Sequence, residues 1–122
     1  MSMPTITYDE LGDTLYVSFA PGSAATGIEL NDHILLRIDK EGWRAIGLSF
    51  FEYSVLAQRT ELGPRSFPLT GLANLSPELR ARVLDIVLTP PVSDFLSLSA
   101  YTLSATEIIP IASLHPLPSV AA

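Results

Sequence analysis

Apolar and polar positions alternate with a period of two along much of the first fifty residues. Thr14-Leu15-Tyr16-Val17-Ser18-Phe19 puts Leu15, Val17 and Phe19 on one face and Tyr16 and Ser18 on the other, the mark of a half-buried strand. Ile34-Leu35-Leu36-Arg37-Ile38 repeats this with Ile34, Leu36 and Ile38 inward. Asp39-Lys40-Glu41-Gly42 then reads as a hairpin loop in which Gly42 is free to take positive φ. The return strand is Arg44 to Phe50, with Ile46, Leu48 and Phe50 on one face. Pro21-Gly22-Ser23 and Asn31-Asp32 supply further turns, so residues 5–50 predict a meander of short antiparallel strands.

The second half has a different texture. Eight of the ten prolines lie beyond Gly63, and each removes a backbone donor and fixes φ. Leu62 to Pro68 reads as an extended crossing segment. Ser76-Pro77-Glu78 is a helix start, with serine at the N-cap, proline at N1 and an acid in the first turn. The helix is expected over residues 77–88, with Leu79, Val83, Ile86 and Val87 on one face and Arg80, Arg82 and Asp85 largely elsewhere. Thr89-Pro90-Pro91 ends it. Phe95 to Leu103 and Glu107 to Ile111 return to a strand pattern, with a turn in Ser104-Ala105-Thr106. Pro110 predicts that the last strand is an edge.

Ordered matches in the first half carry a family resemblance: Tyr8-Asp9, Asp13-Thr14-Leu15-Tyr16-Val17, Asp39-Lys40-Glu41-Gly42 and Gly47-Leu48. Residues 6–58 resemble the domain of unknown function family 2283, whose pattern runs Tyr-Asp, Asp-x-Leu-Tyr-Ile, an Asp-x-x-Gly hairpin, Gly-Ile and a short helix. Ser49-Phe50-Phe51-Glu52 departs from it, standing where members more often carry an acid and aliphatics. The resemblance implies a fold, with the short helix in Phe51 to Gln58, rather than an activity.

Residues and resemblance together predict one α+β domain over 1–122. It comprises an antiparallel β-meander with a short helix, a second amphipathic helix packed on the sheet, and a C-terminal β-hairpin that extends or closes the sheet. Residues 59–122 form a Pro-rich extension outside the resemblance.

Length permits such a core, since a chain of 122 residues buries about two thirds of its unfolded surface. The absence of cysteine excludes disulfides, thiolate catalysis and cysteine-based zinc sites, and fits a cytoplasmic location. Met1-Ser2-Met3-Pro4 lacks the basic and apolar regions of a signal peptide, and no apolar run reaches the length of a membrane span. A net charge of −6 disfavours nucleic acid and anionic membranes as partners and leaves room for a protein partner, a basic one included.

Candidate chemistry is sparse. Only two histidines are present, and no Gly-x-Ser-x-Gly elbow presents a nucleophile. His33 falls in a turn and reads as a solvated residue, and His115 as one that packs its ring. Asp9, Glu10 and Asp13 offer oxygens to a cation, but not at EF-hand spacing, and a capped turn explains them. Asp39 and Glu41 sit at a hairpin tip, where nothing predicts the desolvation that acid–base work by paired carboxylates requires. The glycines are scattered, which gives nucleotide binding no support, and Arg80 and Arg82 read as solvated surface. No catalytic, cofactor or metal residues are assigned. The expectation is therefore a non-enzymatic interaction module that self-associates, because 48% of residues are hydrophobic and the segment after Glu107 carries no formal charge. Two alternatives stand beside it. One is an antitoxin-like regulator that binds a basic partner. The other is a ligand-binding protein or enzyme with a pocket between sheet and helix, lined by Tyr16, Trp43 and Tyr53.

Overall fold

The computed structural model describes residues 4–20, 24–60, 63–64, 66–102 and 108–114, with backbone alone at 59–60, 63–64, 99–102 and 108–109. Five strands form the main sheet: β1 (Thr5–Asp9), β2 (Thr14–Ser18), β3 (Thr26–Glu29), β4 (Ile34–Asp39) and β5 (Arg44–Phe51). All pairs are antiparallel, and the order is β1-β2-β5-β4-β3. A β1–β2 hairpin and a β3–β4–β5 meander thus meet where β2 pairs with β5. Pleat alternation gives the sheet one core face, and cross-strand register aligns it: Leu15 lies opposite Phe50, Val17 opposite Leu48, and Leu36 between Leu48 and Ile28. Ile46 is the exception within β5. It is the unpaired residue where register shifts between Arg37 and Ile38, and it is buried outside the main core cluster.

The chain then forms a short helix α1 (Tyr53–Leu56), strands β6 (Arg59–Thr60), β7 (Gly63–Pro64) and β8 (Phe67–Pro68), and a 3-10 turn at Thr70–Asn74. The second helix, α2 (Pro77–Val87), begins as its sequence requires: the Ser76 hydroxyl accepts from the Leu79 amide at 3.2 Å, with Pro77 at the first helical position. Val83, Ile86 and Val87 are buried and join the same core cluster as the inner face of the sheet. Arg80 is not solvated surface. Its guanidinium donates to the Leu72 and Leu75 carbonyls at 2.9 and 3.1 Å, so it satisfies the end of the 3-10 turn.

Strands β9 (Leu96–Thr102) and β10 (Ile108–Leu114) form the expected hairpin, but it neither extends nor closes the main sheet. It makes a separate three-stranded sheet in the order β8-β10-β9. Leu96, Leu98, Ala112 and Leu114 pack toward the common core. Pro110 accordingly lies on the central strand and not on an edge. Its carbonyl faces the β8 side and accepts from the Leu69 amide, while the β8 ladder covers only Ile111 and Ala112. The missing donor of Pro110 points to the same side, at the end of the short β8 pairing. The Ser104–Thr106 turn, Pro21–Ser23 and His115 lie outside the described residues.

The extension is joined to the sheet at the β3 end. The Gly71 amide donates to the Leu30 carbonyl at 2.9 Å, and a Cβ at Gly71 would run into the Glu29 carbonyl oxygen. Only glycine allows the turn to sit that close.

Candidate functional site

Two hairpin loops of the same construction shape one end of the sheet. In Asp9-Glu10-Leu11-Gly12-Asp13 and Asp39-Lys40-Glu41-Gly42-Trp43, the first aspartate accepts from the amide two residues on, at 3.1 Å from Leu11 and 2.9 Å from Glu41. Its second carboxylate oxygen lies over the glycine, 2.8 Å from where a Cβ would stand at Gly12 and 3.3 Å at Gly42. A Cβ at Gly12 would push the Asp9 carboxylate aside, and one at Gly42 would crowd that of Asp39 by a few tenths of an ångström. The left-handed residue is the next one, Asp13 or Trp43, each at φ 49, and not Gly42 as the sequence suggests. Asp39, held by the Glu41 amide above all and by the nearby Arg44, has its carboxyl lowered below the usual range.

The two left-handed residues have different partners. Asp13 is an anchor: its carboxylate accepts from the Ser54 hydroxyl at 2.5 Å, the Ser54 amide at 3.1 Å and the Tyr8 phenol at 2.6 Å. Those bonds, led by the Ser54 hydroxyl, lower the Asp13 pKa, and the bond to Asp13 raises that of Tyr8. This ties the start of α1 to the first hairpin and takes up the carboxylate that the sequence offered to a cation. Trp43, an aromatic residue in a conformation that strains L side chains, instead turns its ring toward α2, with the Arg82 guanidinium 5.0 Å above it.

Trp43 stands in an open cleft of about 850 Å³ between the second hairpin and the end of α2. Phe19, Ala45, Ile86, Pro90 and Pro91 contribute apolar lining beside Trp43, with Pro4 from the start of the chain. Arg44, Arg82, Asp85 and Asp94 supply charge of both signs at the rim. The Thr89 hydroxyl is committed to the Asp85 carbonyl at 2.6 Å. The described lining thus offers stacking surface and ionic contacts rather than a nucleophile paired with a base.

The three residues assigned to a pocket between sheet and helix stand apart. Trp43 lines the cleft. Tyr16 lies on the opposite face of the sheet, 41% exposed, between Thr7 of β1 and Ser49 of β5. Tyr53 packs edge-on to Tyr8 at 6.1 Å and tilted to Phe50 at 6.4 Å, and burial raises its pKa. His33 meets Glu52 at 3.0 Å across an exposed turn. Among the described residues no group of three His, Asp or Glu side chains is placed to hold a metal ion, and no helix is long and apolar enough to cross a membrane. Sequence reasoning missed Phe19, Pro90 and Pro91 as neighbours of Trp43, because nothing local to them signals the approach of α2 to the second hairpin.

Fold and cleft together define a small α+β protein in which one face of an antiparallel sheet is covered by a helix and a second sheet. Residues 5–51 match the family described as "Protein of unknown function (DUF2283)". The match takes in all five strands of the main sheet and stops before α1, so the segment from α1 onward lies outside it. No curated protein and no solved structure matches the chain.

Proposed function

We propose that this chain is a non-enzymatic interaction module that self-associates through the outer face of its main sheet. The observation that supports this is the composition of that face. Tyr16 and Phe51 are 41% and 38% exposed there, beside half-buried Leu35 and Arg37. These large side chains surround the small, buried Ser49 and Gly47. The described helices and second sheet pack on the other side, in one cluster with the inner face.

A second copy fits this face better than a strongly charged partner, because the face carries charge of both signs. Glu29 lies opposite Leu35 in the register, and Arg37 lies opposite Gly47. The Arg37 Nε is buried with no hydrogen-bond partner among the described residues. A group left in that condition favours an arrangement that supplies further acceptors around its guanidinium. A two-fold pairing presents each copy's arginine and glutamate to the same surface on the other.

Light scattering and sedimentation over a range of concentrations test this. The expected result is a mass that is a multiple of 13.2 kDa. Tyr16→Glu, at an exposed position, is expected to weaken association at least about tenfold while leaving the circular dichroism spectrum unchanged. A strict monomer at high concentration overturns the reading.

A further inference from the structure

The outer face of the main sheet carries two pairs of complementary residues at the same offset. Arg37 lies opposite Gly27 of β3, and Glu29 stands two residues beyond Gly27. Tyr16 lies opposite Ser49 of β5, and Phe51 stands two residues beyond Ser49. Strands β3 and β5 flank β4 and run the same way, and both steps cross the sheet toward the β3 edge. The step from Arg37 to Glu29 therefore has the length and direction of the step from Tyr16 to Phe51. With strands about 4.8 Å apart and alternate residues about 6.8 Å apart along a strand, each step is about 8 Å.

The midpoints of the two steps are separated by two strands across and two residues along. With those spacings, the line joining the midpoints is perpendicular to both steps. A half-turn about that line lays a second copy face to face on the first. Arg37 then faces Glu29 of the second copy and Glu29 its Arg37, while Tyr16 and Phe51 exchange in the same way. Leu35 and Ser49, opposite each other in the register, fall on either side of the line at about 1–2 Å. Leu35 thus meets its own counterpart beside the small Ser49.

The side chains are free for these contacts. Within one chain the Arg37 guanidinium lies over Gly47, on the side of β4 away from Glu29, so the diagonal ion pair is not made there. Its Nε is buried with no hydrogen-bond partner among the described residues. Glu29, Tyr16 and Phe51 are exposed. An unrelated partner does not require that charged and aromatic pairs obey one two-fold axis, whereas isologous contact does.

We infer that two copies pair about this axis, with reciprocal Arg37–Glu29 ion pairs at one end, reciprocal Tyr16–Phe51 contacts at the other and Leu35 between them. This arrangement rests on the sheet-face association proposed above and specifies which side chains meet.

Charge reversal in separate chains tests it. Arg37→Glu and Glu29→Arg each set like charges against each other twice in a symmetric pair, so each is expected to weaken self-association at least about tenfold in sedimentation. Mixed in equal amounts, the two variants are expected to form a heterodimer at least about tenfold tighter than either self-pair, because one copy then carries both acids and the other both arginines. Both variants remain net acidic, so bulk charge opposes their mixing. Tyr16→Lys mixed with Phe51→Glu makes a second couple at exposed positions, which keeps the axis testable if an Arg37 variant fails to fold. That mixture too is expected to associate more tightly than either component. If the unsubstituted chain dimerises but neither mixture is tighter than its components, the axis is overturned while sheet-face association stands. A strictly monomeric unsubstituted chain overturns both.

Discussion

The Asp13 carboxylate receives two hydroxyls and an amide, and its left-handed backbone is one that aspartate tolerates better than most residues. Its folded pKa is lowered, chiefly by the Ser54 hydroxyl, so the ionised form is preferred in the native state. The resulting stabilisation is fully present above the unfolded value near 3.8 and is lost as pH falls through the lowered folded value. Asp13→Asn turns an amide donor toward the Ser54 donors. It is therefore expected to lower Tm at neutral pH, and the difference from the unsubstituted chain should shrink on titration below about pH 4 in thermal melts. A gap that stays constant down to low pH would contradict the role given to the carboxylate. The sequence marks Asp13 as a turn residue. It gives no sign of Ser54, 41 positions away, because that contact depends on α1 folding back over the hairpin.

At the scale of elements, the two Asp-x-x-Gly loops show how one local solution serves two ends. The aspartate forms the turn, the glycine makes room for its carboxylate, and the following residue takes the left-handed conformation. In the first loop that residue anchors a helix. In the second it is Trp43, where a strained backbone is kept by packing against α2 and the core. Replacing it separates strain from packing: Trp43→Gly and Trp43→Ala lose the same ring contacts, but only glycine relieves the left-handed strain. Trp43→Gly is expected to be more stable than Trp43→Ala by about 1 kcal/mol in urea unfolding. Equal stabilities would mean that the loop relaxes to another conformation without the ring. The strands were legible from alternation, and α2 from its serine-proline start. The place of Pro110 was not, because an edge is defined by which strands arrive beside it, and β8 is only two residues long.

For the whole molecule, the inner sheet face, α2 and the second sheet contribute to one apolar cluster. We propose on that basis that residues 1–122 unfold as a single cooperative unit. Gly71 is the place to test this coupling, since its amide bonds to Leu30 and any Cβ meets the Glu29 carbonyl. Gly71→Ala is expected to destabilise the chain by about 1–3 kcal/mol through the forced backbone shift. It should lower the Trp43 fluorescence transition and the circular dichroism transition together. Two separated transitions would instead mean that the matched sheet and the extension unfold independently. The sequence by itself determined the inner face of the sheet, its hairpin loops and the start and apolar stripe of α2, because periodicity and turn chemistry act over a few residues. Only the tertiary structure decided the order in which β2 meets β5, the separation of the second sheet, and the gathering of Phe19, Trp43, Ile86 and Pro91 around one cleft. Those contacts join residues far apart in the chain, and their partners are chosen by which apolar surfaces cover one another once the local elements exist.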